Sequence, residues 1–383
     1  MSWISFYSAD WVKNVIALVA LLSSPSLTFA DVVLQPNHDA DADAVILRAL
    51  ASKDDEKASS AILVARGQSM PSSRVTLRLV EIVDSDRSDY LRALAASAVG
   101  DLCPEADTSS AAKSAVRWLK NDLSSWVREG AAISLGRLTQ DCEEVVVALI
   151  DGTKDVDPDV RFASYISLGL KRHQAGKILQ SLHEGIHDRS PAKYAVSQSF
   201  FAERAVAIGA ITSLGLHGKS AKLSLPQLML LWRDSDRDIG VAACIAAAKI
   251  SDDAAVHLEL ESALMLFLDV DENSGFALVT CQEALKCLAM LEVPVPPGSV
   301  RTSSVAKVRR LLQNLELQIY DPDFTIAISG ALKHFGKDAE SCLPLLRSRR
   351  EEIDSAEAII AIDDAIEAIE NGLVEETIPA DGR

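Results

Sequence analysis

Leu91-Arg92-Ala93-Leu94-Ala95-Ala96-Ser97-Ala98-Val99-Gly100 decides how this chain folds, because two later stretches repeat it. They are Val127-Arg128-Glu129-Gly130-Ala131-Ala132-Ile133-Ser134-Leu135-Gly136 and Val160-Arg161-Phe162-Ala163-Ser164-Tyr165-Ile166-Ser167-Leu168-Gly169. Set Arg92, Arg128 and Arg161 as position zero. Leu or Val precedes each, small residues stand three and six places on, an aliphatic residue seven, and glycine eight. Glycine is 18 of 383 residues, so three at one offset arise by chance about once in ten thousand sequences. A unit that recurs at this spacing is a helical hairpin. It cannot bury its apolar face alone and must stack on copies of itself. The expected fold is therefore all-α, an alpha-alpha superhelix of about eight to nine hairpins.

Fainter copies follow once the register is set. Val206, Ala210, Ser213, Leu214 and Gly215 fit with Ala207 in the Arg slot, and Ile239, Ala243, Ala246 and Ala247 fit with Gly240 there. Degenerate units centre on Lys57, Cys281 and Thr325; for the last, Ile328 is an alternative slot that would align Gly336 with the template glycine. The mean spacing is about 38 residues, the period of two-helix repeats. The templated helix is the second of each hairpin. Its start is marked by Asp157-Pro158, where Asp caps free amides and Pro occupies the first turn without losing a hydrogen bond. Asp84, Asp86, Asp234, Asp236 and Asp321-Pro322 repeat that signal. First helices show in two matching stretches, Gly218-Lys219-Ser220-Ala221 to Leu225-Pro226 and Gly336-Lys337-Asp338-Ala339 to Leu343-Pro344. The last hairpin ends at Asn371-Gly372, and Glu357, Asp363, Asp364, Glu367 and Glu370 give it the polar outer face a terminal repeat needs.

An acidic turn followed by Val-Arg, small residues and Leu-Gly resembles the HEAT-like (armadillo-type) helical repeat family, over residues 41–372 and with most specificity around Arg92, Arg128 and Arg161. The resemblance implies a solenoid in which turn Asp and helix Arg tie neighbouring repeats. It also implies a scaffold or binding surface rather than an enzyme.

The first thirty residues have the layout of a secretory signal peptide: a polar start with Lys13, an apolar run from Val15 to Leu22, Pro25, then Thr28 and Ala30 before the expected cut. A linker over 31–40, the solenoid over 41–372 and a mobile tail over 373–383 complete the expected organisation. Pro25 interrupts the run well short of a membrane span, so the mature chain is expected in the periplasm or secreted, without stable membrane insertion. Hydrophobic residues are 48% and aromatics only 5%, a mixture that suits close-packed Ala-rich helices. The net charge of -17 argues against nucleic acid, which needs an electropositive footprint, and more easily accommodates a cationic protein partner or a divalent cation. Cys244, Cys281, Cys287 and Cys342 read as small core residues. Cys103 and Cys142, each shortly after a template glycine and one repeat apart, are a candidate disulfide.

His183-Glu184-Gly185-Ile186-His187 has the zinc-hydrolase spacing, two His one helical turn apart with a Glu to activate water. No third ligand follows, and a catalytic zinc needs three protein ligands. A zinc-dependent hydrolase using His183, Glu184 and His187 is thus the alternative to a non-catalytic scaffold without cofactor. Asp269-Val270-Asp271-Glu272-Asn273-Ser274-Gly275 imitates a calcium loop but has Thr280 where the bidentate Glu belongs, and reads as an acidic turn. On the templated helix, the slots one and five places after Arg point away from the buried seam. Phe162, Ile166, Ile208 and Val241 fall there, as either a packing surface for the next repeat or a protein-binding strip.

Overall fold

The computed structural model describes residues 39–68, 72–193, 204–268, 275–291, 305–306, 308–309, 312 and 322–371. The expected signal peptide (1–30), linker (31–40, up to its last two residues), acidic turn and tail therefore lie outside the described residues. The chain forms two compact units, Met1–Gly209 and Ala210–Arg383.

In the first unit the helices are α1 (Asp39–Leu50), α2 (Asp55–Gln68), α3 (Ser73–Val83), α4 (Asp89–Leu102), α5 (Thr108–Asn121), α6 (Ser125–Arg137), α7 (Glu143–Gly152), α8 (Pro158–Leu168) and α9 (Ala175–Gly185). They lie in two layers. The templated helices α2, α4, α6 and α8 stack on one another, and α1, α3, α5, α7 and α9 stack beside them. A two-residue ladder, β1 (Pro191–Ala192) with β2 (Arg204–Ala205), precedes α10 (Val206–His217), which straddles the division. In the second unit α12 (Arg237–Ile250), α14 (Gly275–Leu288), α15 (Pro322–Phe335) and α17 (Ala356–Asn371) stack in that order, while α11 (Leu225–Leu231) packs on α12, α13 (Ala254–Leu264) on α12 and α14, and α16 (Leu343–Glu352) on α17.

The template positions now have physical reasons. Leu91, Val127 and Val160, then Ala95, Ala131 and Ser164, then Val99, Leu135 and Leu168 are all fully buried. The glycine eight places on packs against the small residue six places on in the next repeat. A methyl on Gly100 would lie 2.7 Å from the Ser134 Cα, and one on Gly136 2.5 Å from the Ser167 Oγ. In the second unit Gly215 meets the Ala246 Cα at 3.0 Å in the same way. Small residues at both offsets let the backbones approach, which is why the pattern is stringent there.

Two degenerate units can be placed. The first was expected at Lys57, which is exposed; Ala58 and Ile62 are fully buried and Ala65 is 4% exposed. Ser59 is therefore the slot, and Gly67 falls eight places on. The unit near the C-terminus keeps Thr325. Gly336 stands eleven places after it, as Gly218 stands eleven after Ala207, and both glycines adopt left-handed backbone, φ 52° and 55°. Each opens a 3-10 turn, Gly336–Cys342 or Gly218–Ser224, followed by an α-helix with Pro at its start. The matching stretches in the sequence are one structural device used twice, and only glycine takes that backbone without strain.

Helix starts are capped as expected at Asp157, whose carboxylate accepts from the Asp159 amide, and at Asp236, which accepts from Asp238 and Ile239. For α4 the cap is Ser88 rather than Asp84 or Asp86. Asp84 instead accepts from the indole N–H of Trp118 at 2.7 Å and from Arg117 at 2.7 Å.

Candidate protein-binding surface

Position zero carries a ladder of ion pairs along the first unit. Arg92 bonds Asp122, Arg128 bonds both oxygens of Asp155 at 2.8 and 2.9 Å, and Arg161 bonds Asp188 at 2.8 and 3.4 Å. Each Asp belongs to the repeat after its Arg. Each also folds its own turn, accepting the amides of Ser124, Asp157 and Ser190 at 2.9–3.0 Å. The guanidinium has a second task. Arg128 Nη1 donates to the carbonyls of Asp122 and Leu123 at 3.1 and 3.2 Å, and Arg161 Nη1 to those of Asp155 and Val156 at 2.9 and 3.1 Å. One side chain thus fixes its own turn and the next.

Burial raises the Asp155 carboxyl, but the Arg128 guanidinium and the Asp157 amide outweigh it and hold the group below its ordinary value; Asp188 behaves alike, with Arg161 and Ser190 as partners. A depressed folded-state pKa contributes stability that is present above the unfolded value and lost as pH falls through the folded one. Urea midpoints should be flat from about pH 7 to 5 and fall below about pH 4, where unfolded aspartates protonate. An unchanged midpoint at about pH 3 contradicts a stabilising ladder.

The second unit keeps the tie with a displaced donor. Gly240 occupies the Arg slot, and Arg237, three residues earlier, donates to the carbonyls of Leu266 and Phe267 at 3.4 and 3.1 Å. Phe267 uses the space at Gly240, where a methyl would lie 2.7 Å from its ring. Arg237 carries no template signal in the sequence, because its offset differs from that of position zero.

The expected strip does not stand open. Ile208 and Val241 are buried, with 7% and 3% exposure, while Phe162 and Ile166 are half-buried. The cause is the next helix in the stack. A methyl on Gly130 would lie 2.5 Å from the Ala93 carbonyl, and one on Gly209 would lie 3.2 Å from the Phe162 carbonyl and 3.3 Å from its ring. A face thus covered packs repeats together, which corrects Ile208 and Val241 as binding residues.

The zinc spacing also resolves differently. Helix α9 closes at Gly185, where the Tyr165 ring takes the place a side chain would fill. His183 is on the last helical turn, half-buried, and His187 is exposed in the turn beyond the helix end. Glu184 accepts from Gln180 at 3.2 Å. Among the described residues no group of three or more His, Cys, Asp and Glu side chains is placed to share a metal. Cys103 and Cys142 are half-buried free thiols, so the expected bridge is not formed. Cys103 opens the connection after α4, whereas Cys142 closes the connection before α7, so the two do not occupy equivalent places. Burial, with Asp107 nearby, pushes the Cys103 thiol up to about 11.

What is exposed is the turn edge. Leu123 is 100% and Val156 88% exposed, both five places before the template Arg; Tyr90 (39%) and Trp126 (44%) both stand two places before it. The templated helices run parallel, since Gly100 meets the end of α6 and Gly130 the start of α4. Their first turns are therefore neighbours, and these four side chains line one edge of consecutive repeats. Among the described residues no helix is long and apolar enough to cross a membrane.

Stacked helical hairpins tied by an Asp–Arg ladder define an α-solenoid repeat protein. Residues 75–169 match the family model for HEAT repeats, and that stretch of the chain is built of HEAT repeats. Comparison with curated proteins returns no match. Among solved structures, an engineered protein is 15% identical with a TM-score of 0.43, covering 97% of each chain. Kap121p bound to Ste12p is 11% identical with a TM-score of 0.49, covering 93% of this chain and 40% of that one. Kap121p bound to Pho4p is 13% identical with a TM-score of 0.48, again covering 93% and 40%. The chain spans about two fifths of the length of those Kap121p chains.

Proposed function

We propose that this protein is exported to the periplasm or beyond and works there as a non-catalytic scaffold that holds another protein. The observation that supports this reading is the turn edge. Large apolar side chains recur there at fixed slots, on backbone that Arg128 and Arg161 hold in place. Single exposed apolar residues are ordinary on a protein surface; a row of them in repeat register on rigid turns favours docking. The net charge of -17 favours a cationic partner.

Two measurements test it. Mature protein isolated from cells should begin at Asp31 and be found outside the cytoplasm; an intact Met1 on cytoplasmic protein ends the export reading. A photo-crosslinking residue at position 123 should capture a discrete protein in living cells, while the same residue at position 223, where Leu is 93% exposed, should not. Equal labelling at both, or none at 123, removes the scaffold reading of this edge.

A further inference from the structure

We propose that the turn edge of the first unit is a docking site for one amphipathic α-helix of another protein, carrying basic residues beside its apolar stripe. This rests on the scaffold reading above and names the chemistry of the occupant. Neighbouring helices in such a stack lie about 8–10 Å apart. Seven residues of α-helix advance about 10.5 Å and return to nearly the same face. A helix lying across the repeats therefore places side chains i and i+7 over Leu123 and Val156, with i+3 or i+4 between them. Tyr90 and Trp126 repeat the same one-repeat step beside that pair. An extended strand matches less well, because its same-face side chains advance by about 6.6 Å.

Charge selects the sign of the flanks. Asp86 and Asp89 are exposed next to Tyr90, and the half-buried Asp157 and Asp159 follow Val156; Lys120 and Lys154 are the exposed lysines on the same turns. Asp89 also pairs with Arg92, Asp157 caps α8, and Asp159 accepts from the Lys193 amide. Arg87, Arg117 and the arginines of position zero are engaged by Asp55, Asp84, Asp122, Asp155 and Asp188, which leaves Asp86, Asp89, Asp157 and Asp159 against Lys120 and Lys154. The turns are ordered before binding, which removes part of the entropic cost of docking. Trp and Tyr are the side chains that most often dominate binding at such contacts.

The test uses the mature chain and three synthetic helical peptides measured by titration calorimetry. One has Leu at i, i+3, i+7 and i+11 with Lys on the remaining face; one replaces Lys by Glu; one keeps the Lys composition but scrambles Leu. The first should bind about tenfold or more tightly than either of the others. Leu123→Asp with Val156→Asp should weaken it about tenfold or more. Both side chains are so exposed that the melting midpoint should not move, and Leu223→Asp should leave binding unchanged. Equal binding of the Glu peptide, equal binding of the double variant, or no binding of any peptide overturns the proposal. So does a dimer in sedimentation that the double variant converts to monomer, since the occupant is then a second copy of this chain. Failure here with a partner still crosslinked at position 123 rejects the helical occupant alone; failure of both rejects the scaffold reading as well.

Discussion

Arg128→Ala is expected to destabilise the first unit by about 3–5 kcal/mol and to lower its melting midpoint by roughly 10 °C. The guanidinium forks onto both oxygens of Asp155 and spans two carbonyls of the preceding turn, four hydrogen bonds from one side chain. Both charged side chains are 13% exposed. A surface ion pair contributes at most about 1 kcal/mol, whereas removing one member of a sheltered pair leaves the other desolvated. Arg128→Lys should recover little, because an ammonium cannot make the bidentate fork. Combining Arg128→Ala with Asp155→Ala should cost less than the two single losses together, since the stranded carboxylate is then absent. Urea unfolding of the four variants checks this. A loss under about 1 kcal/mol for Arg128→Ala shows a solvent-screened pair and removes the ladder as the tie between repeats.

The ladder and the fold were legible in the sequence for the same reason. Arg at zero, a small residue at six and Gly at eight are each required by contact with the next repeat, so each is repeated, and repetition can be read without a structure. Where contact is made by other means, the signal fades. Arg237 does the work of position zero from three residues earlier, and Ser59 carries neither Arg nor Val before it. Thr325 was open to a three-residue shift until the left-handed backbone at Gly336 matched that at Gly218.

The binding surface was harder to read. Periodicity places Phe162, Ile166, Ile208 and Val241 on one side of their helices, and does so correctly. It does not say whether another helix lies there. The closeness of Gly130 to Ala93 and of Gly209 to Phe162 answers that, and glycine two places after the slot recurs too rarely to form a pattern. Leu123 and Val156 sit in turns, where no periodicity applies. Their outward direction follows from the carbonyl bonds to Arg128 and Arg161, contacts between side chain and turn that leave no trace in residue spacing.

Gly100→Val should destabilise the first unit by about 3 kcal/mol, and Gly176→Ala should stabilise it by about 0.5–1 kcal/mol. Both glycines are in helices, and intrinsic propensity alone favours replacing either. Packing decides the sign. At Gly100 even a methyl would lie 2.7 Å from the Ser134 Cα, 2.9 Å from its carbonyl oxygen and 3.1 Å from the Arg137 Cβ. Two of those atoms are backbone, so no rotamer change relieves the clash, and α4 must move away from α6. That movement opens the seam in which Leu91, Val99, Val127 and Leu135 are fully buried. Gly136→Ala should fall between the extremes, because its nearest neighbour is the Ser167 hydroxyl, although the Ser167 Cβ and Cα follow at 2.9 and 3.1 Å. At Gly176 nothing lies within 4 Å of a methyl, so only the backbone entropy of the unfolded chain changes. Chemical denaturation of the three variants at neutral pH distinguishes contact from propensity. If Gly100→Val unfolds at the wild-type midpoint, the close approach of α4 to α6 is absent in solution, and the template glycine needs another explanation.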